Sequence, residues 1–301
     1  MSLLVIGTIA FDDIETPHGR VSHVLGGSAV HFAYAASLFG PVRLVGATGH
    51  DFPDATLEPL RQRGVDLSGV TRLDHVPTFY WSGRYAHETS DAETLAIELN
   101  TLEVFEPLVP ETFRSTPYVF LSADHPKNHL AAIAQLARPK LLICDTRDIW
   151  IETQPEGLRE VIRRTDGIVL NDHEARQLAR QENLMRAARA IMELGARLVI
   201  IKKGEHGAIM VAGDEWFALP AYPVEKVVDP TGAGDSFAGG LMGAVAAADA
   251  ADFATLKRAM VWGTIIASRC VEDFSVRPLE STTLADLETR RVRFLRALSV
   301  S

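Results

Sequence analysis

The sequence predicts an α/β fold in which helices cover both faces of a mostly parallel sheet, a three-layer α/β/α arrangement. Short, continuously apolar runs are typical of strands buried on both faces of such a sheet: Leu3–Gly7, Val42–Ala47, Tyr118–Ser122, Leu141–Asp145, Gly167–Asn171 and Leu198–Lys202. Between them, apolar residues spaced by three and four positions predict helices: Ala29–Phe39, Asp54–Arg63, Lys127–Ala137, Glu156–Arg164, His173–Arg180 and Leu184–Leu194. Regular alternation of strand and helix is the pattern of a doubly wound sheet.

Two regions depart from this alternation. Thr78–Asn100 has aromatic and β-branched residues on either side of a polar turn at His87–Glu93, which predicts a small β-excursion. We expect a β-lid formed by two inserted segments, approximately 13–25 and 76–101, within one domain over residues 1–301. After Pro230 the pattern becomes helical, with predicted helices at Ser236–Ala248, Asp252–Val271 and Thr283–Leu298. Trp216 and Phe217 are predicted to lie in the sheet core.

Composition limits the classes of function. The chain has 301 residues, with 30 Lys+Arg against 39 Asp+Glu and a net charge of −9, which argues against nucleic-acid binding through bulk charge. No apolar run approaches the roughly 20 residues that span a bilayer, and the first residues lack a basic leader. The two cysteines, Cys144 and Cys270, lie in separate apolar runs and suggest a reducing compartment. We therefore expect a cytoplasmic enzyme with no membrane partner.

The segment Asp229–Gly240, read Asp-Pro-Thr-Gly-Ala-Gly-Asp-Ser-Phe-Ala-Gly-Gly, is the most informative part of the chain. A turn of small residues entering a helix leaves amide N–H groups unpaired, and the helix dipole favours an anion there. A carboxylate in the same turn, Asp235, fits a base that takes a proton from a hydroxyl attacking a bound phosphoryl group. The alternative is that Asp235 is a helix N-cap and the glycines are packing spacers. Neither a P-loop nor a dinucleotide fingerprint is present, since Phe237 stands where the latter needs its third glycine.

That twelve-residue segment closely resembles the C-terminal signature of the PfkB (ribokinase-like) family of small-molecule kinases. Further motifs match the family in the same order over nearly the whole chain: the first strand ending at Asp12, the Gly26-Gly27 turn, Val45–Asp51, Gly64–Asp66, Asn171–Glu174 and Lys202–Gly207. The resemblance implies a ribokinase-like fold with a β-lid and an ATP- and Mg²⁺-dependent phosphotransferase, a carbohydrate kinase.

The resemblance also implies roles for individual residues. Asp235 would be the catalytic base, and the backbone amides of Gly232, Ala233, Gly234 and Asp235 would form the anion hole for the γ-phosphoryl group. Asn171 and Glu174 would organise Mg²⁺ through water and the phosphates. Asp12, Gly26 and Gly27 would hold substrate hydroxyls, and Lys203, Gly204, Glu205 and Gly207 would form the nucleotide-side loop.

Two of these assignments have alternatives. Asp229 and Thr231 resemble positions that hold a monovalent cation, usually K⁺, in several relatives, but Asp229 can equally satisfy backbone amides in a turn before Pro230. The loop from Lys203 to Gly207 can be a plain hairpin turn, and that geometry is compatible with a nucleotide role.

Substrate recognition is where the pattern departs from the family. His31 stands where the family very often carries asparagine, so we consider it as a substrate contact, with a purely structural histidine as the alternative. In the lid we favour Arg84 as a ligand contact, although the lid aromatics could instead form a homodimer contact between two lids. Asp145 and Arg147, at the end of a central strand, are candidates for the pocket wall because ligands bind at the carboxyl ends of strands in open α/β sheets.

The leading functional prediction is a kinase that phosphorylates a hydroxymethyl or other alcohol group of a sugar or sugar-like molecule. The first alternative is a nucleoside kinase of the same family, because His31 and the lid aromatics would suit a base. The alternative from another class is a catalytically silent nucleotide- or sugar-binding protein. The sequence leaves the acceptor, the dependence on K⁺ and the oligomeric state open.

Overall fold

The computed structural model describes residues 1–88 and 92–299, so residues 89–91 of the predicted lid turn lie outside the described part of the chain. The strands are β1 Leu3–Ile6, β2 Ala10–Thr16, β3 Gly19–Gly26, β4 Val42–Gly49, β5 Val65–Leu73, β6 Phe79–Arg84, β7 Glu93–Glu98, β8 Tyr118–Leu121, β9 Leu141–Asp145, β10 Gly167–Asn171, β11 Leu198–Lys202, β12 Ala208–Ala212 and β13 Glu215–Leu219. The helices are α1 Ser28–Ala36, α2 Glu58–Gln62, α3 Thr101–Val104, α4 Pro126–Ile133, α5 Asp148–Thr153, α6 Pro155–Arg164, α7 Asp172–Ala179, α8 Leu184–Glu193, α9 Ala233–Ala248, α10 Phe253–Cys270, α11 Arg277–Glu280 and α12 Leu284–Leu298.

The main sheet has nine strands in the order β13-β12-β11-β10-β9-β8-β1-β4-β5. Its strands pair in parallel from β11 through β5, and β12 and β13 continue the sheet as an antiparallel edge. The predicted mostly parallel sheet is therefore confirmed. The sequence interpretation did not include strand β5, because its apolar residues are interrupted by polar ones, and it is an edge strand with much of its length exposed.

The sheet separates two apolar cores, which confirms the three-layer prediction. Side chains alternate across a strand, so Leu3 and Val5 of β1 belong to one core while Leu4 and Ile6 belong to the other. Helices α1, α9 and α10 pack in the first core, and helices α4, α6 and α8 pack in the second. Because both faces are covered, the carboxyl ends of the parallel strands are the part of the sheet left to build a site.

A second, four-stranded sheet forms the lid in the order β3-β2-β6-β7. It is mixed, since β2 pairs with β6 in parallel while the β2–β3 and β6–β7 pairs are antiparallel. This sheet confirms the predicted lid. Every residue of its outer strand β7 is exposed, including Leu95 and Ile97 at 45% and 46%. The homodimer contact through the lid stays a prediction.

The prediction for Trp216 is wrong. Its side chain is 62% exposed, whereas Phe217, the next residue, packs against the first core. Neighbouring residues of a strand point to opposite faces, and β13 is the edge strand of the sheet, so one of the two had to face away from the core. Within the part of the chain that the structure describes, no helix is long and apolar enough to cross a membrane.

Helix α9 approaches helix α1 very closely at Gly239. A Cβ added to Gly239 would lie 2.3 Å from the carbonyl oxygen of Phe32 and 2.8 Å from the Cβ of Ala35. Real Cβ atoms do not come that near a backbone atom, so only glycine permits this helix–helix distance. The close approach matters for the site because α9 begins only a few residues earlier, at Ala233.

We expect Gly239→Ala to lower the free energy of unfolding by about 1–3 kcal/mol, because overpacking outweighs the gain in helix propensity. Urea denaturation measures the change. The matched control is Gly157→Ala in α6, where the nearest contact of the added methyl is a side-chain atom, Pro126 Cβ at 3.2 Å. If both variants are equally stable, the close contact of α1 and α9 does not constrain the fold.

Candidate active site

Three neighbouring parallel strands end in polar residues at one edge of the main sheet. Asp145, Asn171 and Lys202 are the last residues of β9, β10 and β11. Lys202 Nζ donates to Asp145 Oδ2 at 3.2 Å, and the Asp145 side chain is only 4% exposed. Parallel strands place their carboxyl ends at the same edge, so the sequence pattern of the buried strands brings these groups together.

The N-terminus of helix α9 lies at the same edge. Gly232 is the N-cap residue, with a φ of 73°, and Asp235 is the third residue of the helix, so the alternative of Asp235 as the N-cap is wrong. Of the four predicted anion-hole amides, that of Ala233 donates to the carbonyl of Pro230 at 3.2 Å. Within residues 1–88 and 92–299, the amides of Gly232 and Gly234 have no protein acceptor. The first turn therefore retains donors for an anion.

Asp235 lies among charged groups of both signs. Water reaches part of its side chain, but the surrounding protein desolvates the carboxyl, and this effect together with the nearby Asp145 raises its pKa to about 7 against the opposing influence of Lys202 and Arg147. Lys202 is close to the helix N-terminus, because a Cβ added to Gly234 would be 3.0 Å from its Nζ. A carboxyl with this pKa can accept a proton near neutral pH.

Asp12, on β2 of the lid, is the second buried carboxyl that faces Asp235. It is 5% exposed. Burial and the charges of Asp229 and Asp235 raise its pKa to about 8, although Arg147 and the Gly27 amide oppose the shift. The Asp12 carboxylate occupies the space that a side chain at position 26 would need, since a Cβ added to Gly26 would be 1.9 Å from Asp12 Oδ2. The carboxyl packed against the turn thus explains the first glycine, whereas Gly27 has a φ of 99° and a Cβ there would be 2.5 Å from the carbonyl oxygen of Thr8.

Asn171 and Glu174 form a capping box at the start of helix α7. Asn171 Oδ1 accepts from the Glu174 amide at 2.8 Å, and Glu174 Oε2 accepts from the Asn171 amide at 2.7 Å. Glu174 is buried, and desolvation with the nearby Asp145 raises its pKa to about 7 despite the charge of Lys202. One oxygen of Glu174 remains outside the capping box. Among the described residues, no group of three or more metal-ligating side chains is close enough to hold a metal ion.

That donor set fits Mg²⁺ of the kind that arrives with a nucleotide. Mg²⁺ keeps several waters and binds through one or two carboxylates together with substrate phosphates. A single buried carboxylate oxygen on Glu174, close to the anion-binding turn, meets this requirement, whereas a metal site built by protein alone would need more ligands.

Asp229 caps backbone amides. Its two carboxylate oxygens accept from the amides of Thr231 and Ser275, both at 2.8 Å, and the side chain is fully buried. Binding of backbone amides in the turn was one of the two alternatives that the sequence left open for Asp229. The other, binding of K⁺, stays a prediction. Thr231 Oγ1 is 3.0 Å from Tyr85 Oη of the lid segment, so the lid contacts the turn that precedes α9.

His31 lies directly beneath that turn. A Cβ added to Gly232 would be 2.2 Å from His31 Nδ1. The histidine is 1% exposed, and neither ring nitrogen has a hydrogen-bond partner among the described residues. Burial lowers its pKa to about 4, so the ring is neutral. The structure places His31 as a support for Gly232, and its contact with substrate stays a prediction.

The remaining predicted residues lie in two places. Arg84 is exposed on the lid and donates to Glu15 Oε1 at 3.0 Å, which is a surface ion pair; its role as a ligand contact stays a prediction. The loop from Lys203 to Gly207 joins β11 to β12 and closes with a bond from the Lys203 amide to the Gly207 carbonyl at 2.7 Å. It is therefore the predicted turn, and its nucleotide role stays a prediction.

Asp124 is a buried carboxyl that the sequence interpretation missed. It follows strand β8, is 2% exposed, and its Oδ1 accepts from Asn128 Nδ2 at 2.9 Å while Oδ2 has no partner among the described residues. It lines a small cavity with Thr8 and Phe79, at the base of the lid. Burial raises its pKa to about 7. An aspartate two residues after the predicted strand Tyr118–Ser122 was the available signal, a weaker one than that of Asp145, which is the last residue of its strand.

Comparison with known proteins identifies the family of the chain. A model of the family described as "pfkB family carbohydrate kinase" matches residues 2–282. A cytidine kinase of Thermococcus kodakarensis is 32% identical over 80% of this chain and 87% of its own length. The chain therefore belongs to the PfkB family of carbohydrate kinases and is a phosphotransferase of that family.

Two solved structures show the same fold at low sequence identity. A putative ribokinase II of E. coli in complex with ATP and Mg²⁺ superposes with a TM-score of 0.79 at 21% identity, covering 97% of this chain and 99% of that one. A nucleoside kinase of Burkholderia thailandensis in complex with inosine gives a TM-score of 0.76 at 22% identity, covering 98% and 99%. Both confirm the predicted ribokinase-like fold.

The buried carboxyl of Asp124 leads to a prediction about stability. Its pKa is raised from the ordinary value of 3.8 to about 7 in the folded protein. The favourable contribution of the protonated Asp124 to the free energy of unfolding is therefore complete below pH 3.8 and is lost as the pH rises to about 7. Asp124→Asn removes the titration and keeps the acceptor oxygen. In urea unfolding, its stability relative to wild type should be higher at pH 8 than at pH 5 by roughly 1–3 kcal/mol.

Asp252→Ala is the control. Asp252 caps helix α10 by accepting from the Thr255 amide at 3.0 Å, and that bond lowers its pKa. The contribution of Asp252 to the free energy of unfolding is present at any pH above its pKa in the unfolded chain. The stability lost in Asp252→Ala should therefore be similar at pH 5 and pH 8. An Asp124→Asn effect that does not change with pH would contradict the raised pKa.

Proposed function

We propose that this protein is a nucleoside kinase that transfers the γ-phosphoryl group of ATP to the hydroxymethyl group of the nucleoside's ribose. The observation that supports this most directly is Asp235 in the first turn of α9, beside amides that lack acceptors and within the electrostatic reach of Asp12. A base, an anion site and a second carboxyl that can hold hydroxyls are the parts that phosphoryl transfer to an alcohol needs.

The transfer requires no covalent intermediate with the protein. The acceptor oxygen forms a bond to the γ-phosphorus as the bond between that phosphorus and the bridging β,γ-oxygen breaks, and the electron pair of the broken bond leaves on ADP. The proton of the hydroxyl goes to the carboxylate of Asp235 and then to solvent. The amides of Gly232 and Gly234 stabilise the negative charge on the non-bridging oxygens.

We propose that the nucleotide and the metal ion bind at the same edge of the sheet. The loop Lys203–Gly207 and the anion-binding turn are proposed to hold ATP. Mg²⁺ neutralises phosphate charge when it is bound, and Glu174 with Asn171 would hold it through water and the phosphates. In the free protein the capping box keeps these two side chains in place before a ligand arrives.

The choice of a nucleoside over a free sugar rests on two supports. The relative from Thermococcus kodakarensis is a cytidine kinase, and the Burkholderia thailandensis structure contains inosine. We also propose that the exposed strand β7 mediates a homodimer.

Asp235→Asn should abolish turnover while the protein stays folded. Asparagine is nearly isosteric and lacks the basic oxygen pair, so kcat should fall by about 10³-fold or more. The measurement is ADP release with Mg²⁺·ATP over a panel of cytidine, inosine, adenosine, ribose and fructose, with and without K⁺. We expect nucleosides to be the preferred acceptors by kcat/KM.

The matched control is Asp214→Asn, because Asp214 is an exposed aspartate in the β12–β13 turn. It should keep wild-type activity. Near-normal turnover by Asp235→Asn would remove the base assignment. A wild-type enzyme that phosphorylates ribose or fructose and no nucleoside would show that the acceptor is a free sugar.

The pH dependence of kcat/KM should have an acidic limb near pH 7. Asp235 must be ionised to take the proton, and because its pKa is raised to about 7, activity should rise with pH and fall about tenfold per unit below that value. Initial rates between about pH 5.5 and 8.5 measure the limb. The Asp12→Asn variant should keep it, since Asp12 is not the base; a flat wild-type profile in this range would contradict the assignment.

A further inference from the structure

Arg147 lies just beyond the carboxyl end of strand β9, at the sheet edge that carries the candidate site. It follows Asp145 at the end of β9 by two residues and precedes helix α5. Helix α5 packs against α7, which carries Glu174 in its first turn. The position therefore belongs to the same sheet edge as the anion-binding turn of α9.

The Arg147 residue is exposed, and its guanidinium forms no hydrogen bond or ion pair within residues 1–88 and 92–299. Its backbone carbonyl accepts from Thr146 Oγ1 at 3.4 Å and from the amides of Trp150 and Ile151. Most other arginines that reach the surface near acidic residues form ion pairs, as Arg84 does with Glu15. An arginine without a partner beside several carboxyls is available to a ligand.

The charges around Arg147 define what it faces. Its guanidinium interacts electrostatically with Glu174, Asp235, Asp148 and Tyr85, and it also opposes the rise in the pKa of Asp12. It is thus close to the proposed base and to the proposed acceptor-binding carboxyl.

Lys202 provides a contrast in the same site. Its side chain is 17% exposed and its ammonium group is bound to Asp145, so its charge is largely balanced and its position is fixed. Arg147 has no such partner. The planar guanidinium can bind two phosphate oxygens at once, which an ammonium cannot do.

We propose that Arg147 is a catalytic residue whose guanidinium binds the non-bridging oxygens of the phosphoryl group during its transfer to the acceptor. The proposal rests on the proposed phosphotransferase function and adds a side-chain donor to the backbone amides of α9. Negative charge moves from the acceptor oxygen and the phosphoryl group to the leaving ADP oxygen as the bonds change, and a cation at this point stabilises the transition state more than the bound substrates.

The test compares Arg147→Gln and Arg147→Lys with wild type at saturating Mg²⁺·ATP and nucleoside. The glutamine variant should lose about 10²–10³-fold in kcat, with KM for the nucleoside within about threefold, and the lysine variant should recover only part of the loss. Arg159→Gln is the control, because Arg159 is an exposed arginine on α6 paired with Glu156. Its kinetics should match wild type.

A second readout does not depend on turnover. The affinities for ADP alone and for ADP with aluminium fluoride, a mimic of the phosphoryl group in transfer, are measured by calorimetry in the presence of nucleoside and Mg²⁺. Arg147→Gln should leave the ADP affinity within about threefold and weaken the binding of the mimic at least tenfold. Thermal unfolding should be nearly unchanged, since the replaced guanidinium forms no hydrogen bond or ion pair with the described residues.

Two results would overturn the proposal. One is a kcat of Arg147→Gln within about threefold of wild type together with unchanged binding of the mimic. The other is an equal loss of affinity for ADP and for the mimic, which would make Arg147 a nucleotide-binding residue without a transition-state role. If wild-type protein phosphorylates no acceptor, the proposed function fails, whereas the difference between ADP and its mimic still tests Arg147.

Discussion

The burial of several carboxyl groups at one edge of the sheet is the constraint on which the site depends. Asp12, Glu174 and Asp235 all have raised pKa values because protein removes water from them and because they repel one another or Asp145. Charges interact much more strongly in this environment than in water. Near neutral pH these carboxyl groups are therefore partly protonated, unlike free carboxyl groups in water. A positive charge bound nearby would lower their pKa values and favour loss of the protons.

Lys202 and Arg147 are two cations of the site, and they interact with the buried carboxyl groups in different ways. Lys202 is held by Asp145, and although its own burial disfavours the charge, the carboxylates of Asp145, Glu174 and Asp235 outweigh burial and raise its pKa. It is a fixed structural charge. The Arg147 guanidinium forms no ion pair in the described chain. The site therefore contains one cation that is paired with a carboxylate and one that is available to a ligand. A divalent cation bound with the nucleotide would add further positive charge and favour the ionised form of the base.

The main sheet and the core of the site were predictable from sequence because their signals are local. Continuous apolar runs identify buried parallel strands, and the strands β9, β10 and β11 have the predicted bounds. The turn before α9 was predictable because small residues, a carboxylate and a following helix stand together in twelve positions. The grouping of polar residues at the ends of β9, β10 and β11 could be predicted from topology, since parallel strands end at the same edge of the sheet.

The rest could not be predicted because it depends on contacts between distant parts of the chain. Strand β5 lacks a continuous apolar run since it is an edge strand. In the lid, register shifts lie between Asp12 and Ile14 and between Ser82 and Gly83, so simple alternation does not tell which side chain faces the site. Tyr85, and not Arg84, contacts the turn before α9, and the position of His31 beneath Gly232 follows from the packing of α1 against α9.

The lid and the turn before α9 are joined by direct contacts, which under the proposed function would link acceptor binding to phosphoryl transfer. Tyr85 bonds to Thr231, one residue before the N-cap of α9, and it packs with Ile14 and Phe274 in a small apolar cluster. The hydroxyl of Ser275 donates to the carbonyl of Leu25 at 2.5 Å, on strand β3 of the lid. A shift of the lid must therefore either break these contacts or pull on the turn that carries the anion-binding amides. Because Asp12 belongs to the lid strand β2 and Asp235 to the helix behind that turn, the distance between the two carboxyls is set by the same contacts. Under the proposed function, an acceptor that fits between them would stabilise the arrangement in which the amides and the proposed base are aligned, and acceptor recognition would be coupled to assembly of the phosphoryl-transfer site.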